Sequence, residues 1–143
     1  MTVLVDTSIW SLALRRRSST LSPVDSAHIL ELTTLVRTGR AGLIGPIRQE
    51  VLSGVRDAAQ FTRLRDRLSA FADLAIEDTD YLRAAEAFNA CRRHGVSGST
   101  VDMLICAVAG RLEAPVFTTD GDFTHYAKHV AFRLHHPRIR VVR

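Results

Sequence analysis

The sequence predicts an α/β fold in which a central parallel sheet is flanked by helices on both faces. Three observations lead to it. Short apolar runs alternate with segments of helical periodicity, a pattern that implies βαβ crossovers and a covered parallel sheet. The first run, Thr2 to Val5, is apolar on both of its alternating sides, as a strand enclosed on both faces requires. Glycine, proline and short polar residues punctuate the chain where one kind of segment gives way to the next.

The elements follow in order. The first strand stops on Asp6; Thr7 or Ser8 can cap the helix that follows, which leaves the Asp6 carboxylate spare for chemistry. SIWSLALRRR places Ile9, Leu12 and Ala13 at helical spacing and ends in arginines suited to a helix C-terminus. Ser18 to Ser22 form a polar loop. Ser22-Pro23 opens a second helix, with Ile29, Leu32, Leu35 and Val36 on its apolar face, and Gly39 closes it. Leu43-Ile44 reads as the second strand. Pro46 starts a helix through IRQEVLSG that carries Glu50 and ends at Gly54, and a longer helix runs from about Asp57 to Phe71. Leu74 to Ile76 reads as a third strand, and Asp78 or Thr79 caps the helix YLRAAEAFNACRRH, which ends at Gly95. After the loop Ser97-Gly98-Ser99, TVDMLICAVAGRLE is a helix apolar on most sides, with Asp102 in its first turn. Pro115 to Thr118 is a further strand, ending in Thr119-Asp120-Gly121-Asp122. A short helix through Tyr126 to Lys128 leads to a basic tail, in which Ile139 to Val142 is expected as an edge strand.

With 143 residues the expectation is a single domain over 1–143, able to bury roughly 68–70% of its unfolded surface. Apolar residues make up 46% and charged ones 24%, which excludes a disordered chain. No run approaches the roughly 18 apolar residues of a membrane span, and Asp6 interrupts the stretch most like a signal-peptide core, so the expected location is the cytoplasm. Cys91 and Cys106 have no CxxC spacing and are expected as small buried hydrophobes. The net charge is +4, and of 19 basic residues only Lys128 is a lysine. Arginines cluster at Arg15–Arg17, at Arg63, Arg65 and Arg67, at Arg92-Arg93, and from Arg133 to Arg143. Any one cluster reads as a solvated face; together they point to a polyanionic partner. His135-His136 has no third ligand at useful spacing and reads as a solvated or phosphate-facing tail.

In a parallel sheet ligands bind outside the carboxyl ends of the strands, where Asp6 and Asp120 fall. Each acid has a structural reading. Asp6 can cap a helix, Asp102 can sit on a helix dipole, Asp120 can form a turn with Gly121, and Glu50 can face solvent. As a set, Asp6, Glu50, Asp102 and Asp120 would meet at one end of the sheet, where like charges repel and raise one another's pKa. A hard divalent ion removes that conflict. Mg²⁺ is normally held by one or two carboxylates with its remaining positions in water, and the other acids can orient those waters. Such an ion suits in-line attack on a phosphodiester, with the arginines holding the polyanion outside the acidic pocket.

The residues VLVDTSIW, Glu50 in IRQEVLSG, Asp102 in STVDMLICAVA and Asp120 in VFTTDGDF resemble the PIN domain, and specifically the VapC toxins of type II toxin-antitoxin systems. The resemblance covers essentially the whole chain. It implies a Mg²⁺- or Mn²⁺-dependent endoribonuclease with Asp6, Glu50, Asp102 and Asp120 as its acidic quartet, and with Asp6, Asp102, Asp120 and Asp122 as the residues that hold metal. Asp122 matches a further acid that holds a second ion or a water, although it equally suits a helix cap. Ser8 and Thr118 match polar positions that steady the carboxylates. The resemblance also implies a homodimer and a cognate antitoxin, for which Trp10 and the arginines near the first two helices are candidate contacts; Trp10 equally suits the core.

Two rival classes are weighed against this reading. A phosphatase or receiver-like domain also puts an aspartate after the first strand, but the former wants a second Asp where Ser8 stands, and the latter a strand-end lysine where this chain has none. A catalytically inactive module that keeps the fold and binds RNA or protein is the alternative that the acids alone do not exclude.

Overall fold

The computed structural model describes residues 1–15 and 21–138. The expected edge strand at 139–142 lies outside the described residues, as do Arg16 and Arg17. In chain order the elements are β1 (Val3–Val5), α1 (Thr7–Arg15), α2 (Pro23–Arg37), β2 (Ala41–Gly42), α3 (Gly45–Leu52), α4 (Ala58–Leu68), α5 (Asp78–Arg93), α6 (Thr100–Leu112), β3 (Val116–Phe117) and α7 (Asp122–Tyr126). The strands form one parallel sheet in the order β2-β1-β3, with Leu4 paired to Gly42 on one side and to Val116 on the other. Val3, Leu4 and Val5 are all fully buried. Because successive strand side chains point to opposite faces, both faces of the central strand are covered, as the apolar run predicts.

The local signals act as expected at several ends. Ser22 caps α2 and accepts from Asp25 N–H at 3.1 Å. Asp57 caps α4, and Ser99 caps α6 by accepting from Asp102 N–H at 3.0 Å. α6 is the core helix: Met103, Ile105, Cys106 and Val108 have no exposed surface. At Gly110 an added Cβ would stand 2.6 Å from the Ala131 carbonyl oxygen, so the last turns of α6 meet the C-terminal segment at a distance only glycine permits. Cys91 and Cys106 are free and buried, as small hydrophobes.

Other expectations are corrected. The second strand is Ala41–Gly42, two residues earlier than expected, because the Ile44 carbonyl is taken by Ile47 and Arg48 N–H groups as α3 begins; Leu43 keeps only an isolated bridge to Asp73. Leu74 to Ile76 form no strand, since only the Leu74 N–H reaches Leu43 and the Ala75 carbonyl accepts from Arg111 instead. The cap of α5 is Glu77, whose N–H donates to Asp80 at 2.8 Å, and neither Asp78 nor Thr79 takes that place. α4 stops at Leu68 and α7 at Tyr126. In α2 Val36 is exposed and the buried face includes Glu31. That glutamate meets His135 Nε2 at 3.1 Å and the Arg138 N–H at 3.0 Å, while the His135 ring stands edge-on to Phe117. His135 is therefore packed and paired, not part of a solvated tail. Trp10 is only 2% exposed, donates to the Val5 carbonyl at 3.0 Å and packs on Phe71, so it belongs to the core and not to a partner surface.

Two arginines hold the helices in place. Arg48 joins α3 to the end of α4, donating to the Leu68 and Phe71 carbonyls and to Asp73. Arg111 on α6 donates through Nε and Nη2 to Asp80 on α5, a carboxylate with no exposed surface. Those Arg111 hydrogen bonds, working against burial, hold the Asp80 carboxyl below its ordinary range. A depressed carboxyl pKa stabilises the fold above the ordinary Asp range, and that contribution is lost as pH falls through the depressed value. Arg111→Met should cost about 3–5 kcal/mol in urea unfolding near neutral pH, because it strands a buried charge. It should also flatten the acid-side slope, since the largest cause that lowers the Asp80 carboxyl is gone.

Candidate active site

The candidate site is at the carboxyl end of the sheet. Asp6 continues β1 by donating its N–H to the Phe117 carbonyl, and its own carbonyl accepts from Ile9 and Trp10 as α1 begins. Asp6 itself thus occupies the cap position, and its Oδ2 also lies 3.4 Å from the Ser8 N–H. The expectation that Thr7 or Ser8 caps the helix is corrected to Asp6. Asp6 is only 6% exposed, and its Oδ2 accepts from Ser8 Oγ at 2.9 Å and from Thr118 Oγ1 at 2.8 Å. Each hydroxyl is oriented by a backbone donor: Thr119 N–H to Ser8 Oγ and Asp120 N–H to Thr118 Oγ1, both at 3.0 Å. The two hydroxyls also lie 3.2 Å from each other, so Ser8 Oγ, Thr118 Oγ1 and Asp6 Oδ2 form one closed hydrogen-bonded cluster.

Asp102, in the first turn of α6, is half-buried and accepts from the Tyr126 hydroxyl at 3.0 Å. Burial, then the charge of Asp6, pushes the Asp102 carboxyl up, against hydrogen bonds from Tyr126 and Ser99 that favour the ionised form. Asp6 and Asp102 therefore share one region and repel. Both also push up the buried Cys106 thiol behind them, although burial is the larger cause there, which keeps that thiol protonated and a poor ligand. Glu50 is exposed on α3, but its Oε2 accepts from Thr7 Oγ1 at 2.6 Å, which ties it to the residue after Asp6. Asp120 Oδ1 accepts from the Asp122 N–H at 2.9 Å, so Asp120 turns the chain toward α7, whose cap position is Gly121 and not Asp122. Asp122 itself is exposed at the start of α7. The Tyr126 hydroxyl is pushed up by burial first and then by the Asp102 carboxylate, with smaller contributions from the charges of Asp122 and Asp120.

Among the described residues no three His, Cys, Asp or Glu side chains converge closely enough to cage a metal ion. The donor set fits a different arrangement. Asp6 and Asp102 offer hard oxygen donors with uncompensated charge, which suits Mg²⁺ or Mn²⁺ held by one or two carboxylates and completed by water. Glu50 and Asp122 are exposed, and Asp120 is partly buried. Two partners have no counterpart in the sequence pattern. Tyr126 carries no spacing signal relative to Asp102, and Thr7 has only the signature of a helix cap; the chain fold alone brings each to its carboxylate.

A raised carboxyl pKa means that ionising Asp102 opposes folding. The penalty is absent below the ordinary Asp range and fully present above the raised value. Asp102→Asn should therefore melt at a higher temperature than the unaltered chain at pH 7 in EDTA. The gap should close as pH falls toward the ordinary Asp range, as thermal unfolding across a pH series would read.

The model of the PIN domain family matches residues 3–129. Ribonuclease VapC11 of Mycobacterium tuberculosis is 30% identical over 128 residues, covering 88% of this chain and 92% of the relative. Among solved structures, FitAcB from Neisseria gonorrhoeae is similar with a TM-score of 0.74 at 20% identity, covering 95% of this chain and 98% of that one. VapBC-5 from Mycobacterium tuberculosis, a member of the VapBC family of toxin-antitoxin systems, has a TM-score of 0.66 at 18% identity over 93% and 96% of the two chains. Matched over most of its length in both sequence and backbone, the chain belongs to the PIN domain family, among the VapC ribonucleases.

Proposed function

We propose that this chain is the toxin of a toxin-antitoxin pair and cleaves RNA internally, hydrolysing a phosphodiester with the help of Mg²⁺, or Mn²⁺ in its place. The observation that carries the reading is Asp6, a buried carboxylate that the Ser8 and Thr118 hydroxyls hold at the carboxyl end of the central strand, with the half-buried Asp102 as its neighbouring acid. A bound ion would supply positive charge for the phosphoryl oxygens and lower the pKa of a water. Asp6 holds its share of the site through the Ser8 and Thr118 hydroxyls, which both meet its Oδ2 and keep the carboxylate from turning. Asp102 would offer a second carboxylate from the first turn of α6. In this reading Glu50, held by Thr7, accepts a proton from the attacking water, and Asp120 and Asp122 orient solvent or a second ion.

The RNA backbone is held outside this pocket by arginines that the fold does not use to join its helices. Arg63, Arg65 and Arg67 are exposed along α4, and Arg92 and Arg93 along the end of α5. Arg48 and Arg111, by contrast, are taken up in helix packing. A cognate antitoxin is supported by the likeness to VapBC-5, and a homodimer is part of the same reading. Among the described residues no helix is long and apolar enough to cross a membrane, which agrees with action in the cytoplasm.

Purified antitoxin-free protein should cut a mixed RNA pool with Mg²⁺ or Mn²⁺ and not with EDTA. Asp6→Asn should lose more than about 100-fold in rate, beyond the 10–100-fold that removing an outer partner typically costs. An uncut pool at every metal concentration, with RNA still bound, would favour the inactive binding module. Replacing Arg63, Arg65 and Arg67 by Gln should weaken RNA binding and flatten its dependence on log salt by about 0.7 for each phosphate that is no longer neutralised. An unchanged slope would clear α4 of this role.

A further inference from the structure

We infer that Tyr126 is a positioning residue for Asp102: its phenolic hydroxyl donates to Asp102 Oδ2 and holds that carboxylate turned toward Asp6, ready for the divalent ion. The inference rests on the metal-site reading proposed above. Asp6 is held by two oriented hydroxyls, whereas Asp102 stands in the first turn of a helix, where its terminal torsion is soft. The side-chain donor that reaches it from outside its own helix start is the Tyr126 hydroxyl, at 3.0 Å.

The ring that carries this hydroxyl is itself immobilised. Tyr126 is 1% exposed and meets Phe123 edge-to-face at 5.1 Å between ring centres. The Ser97–Ser99 loop lies flat against it, and a Cβ added to Gly98 would stand 3.1 Å from the ring carbons Cε1 and Cζ and 2.6 Å from Met103 Cε. Its carbonyl accepts from the His129 and Val130 N–H groups, which anchors the end of α7. A phenylalanine would fill this space equally well, so the hydroxyl is the part of the residue that packing does not require. That hydroxyl links α7, which begins at the Asp120–Asp122 turn, to the first turn of α6, and so couples the two sides of the acidic site through one hydrogen bond.

The test is Mn²⁺ binding by calorimetry on the unaltered chain, Tyr126→Phe, Asp102→Asn and the double variant, with thermal unfolding as the control for folding. Tyr126→Phe should weaken Mn²⁺ binding by about 10-fold or more while the melting curve stays cooperative, and it should have no further effect once Asp102 is Asn. Equal Mn²⁺ affinity in Tyr126→Phe and the unaltered chain would overturn the assignment and leave the metal site standing. No Mn²⁺ binding by the unaltered chain would overturn the metal site and this inference with it. Should Tyr126→Phe fail to fold, a 3-fluorotyrosine-labelled chain carrying Tyr81→Phe, at an exposed position, reads the same hydrogen bond. The Tyr126 fluorine line should move as Mg²⁺ is added, and a line unmoved at saturating Mg²⁺ would overturn the proposal.

Discussion

A carboxylate buried at the end of an enclosed strand has to be held by donors, and the architecture around Asp6 answers that requirement. Leaving such a group without partners would cost several kcal/mol or force its neutralisation. The partners are two hydroxyls, one from the start of α1 and one from the exit of β3, each aimed by the backbone N–H of the segment that follows β3. This arrangement draws the ends of β1 and β3 together and fixes where Asp120 departs. The same oxygen that needs satisfying therefore sets the geometry of the site.

The second carboxylate is satisfied differently. Asp102 reaches the site from a helix N-terminus, with Ser99 beneath it and a buried phenol beside it, and it stays half-buried near a like charge. Neutral donors around two acids leave the net negative charge of the pocket intact, which is the condition for attracting a hard cation. A guanidinium placed there would quench it. The basic residues that do serve the fold are kept away: Arg111 pairs with Asp80 between α5 and α6, and Arg48 closes the end of α4. Among the described residues, the arginines thus pair elsewhere than at the Asp6 and Asp102 carboxylates, and others present positive charge to solvent.

Much of this was legible in the chain. The enclosed first strand, the Ser-Pro start of α2, the apolar α6 and the alternation that implies a parallel sheet are carried by local pattern, because burial and capping act over a few residues. The acids that gather at the sheet end could be named from their order and from where strands stop. Local pattern failed wherever a long-range partner prevailed over it. Leu43-Ile44 look more strand-like than Ala41-Gly42, yet the start of α3 consumes the Ile44 carbonyl, while Gly42 admits the close approach of Thr2 and Leu74. Leu74 to Ile76 lost their ladder to Arg111, and Trp10 and His135 turned inward to the core.

Residue types and their spacing were therefore enough to specify the fold class and the chemistry a carboxylate set would suit. Which groups hold each acid was settled only when the chain closed. Thr7 meets Glu50 across 43 positions, Thr118 meets Asp6 across 112 and Tyr126 meets Asp102 across 24. A hydrogen bond depends on positions to within a few tenths of an ångström, and over such separations those positions are products of packing, to which no local pattern in the sequence corresponds.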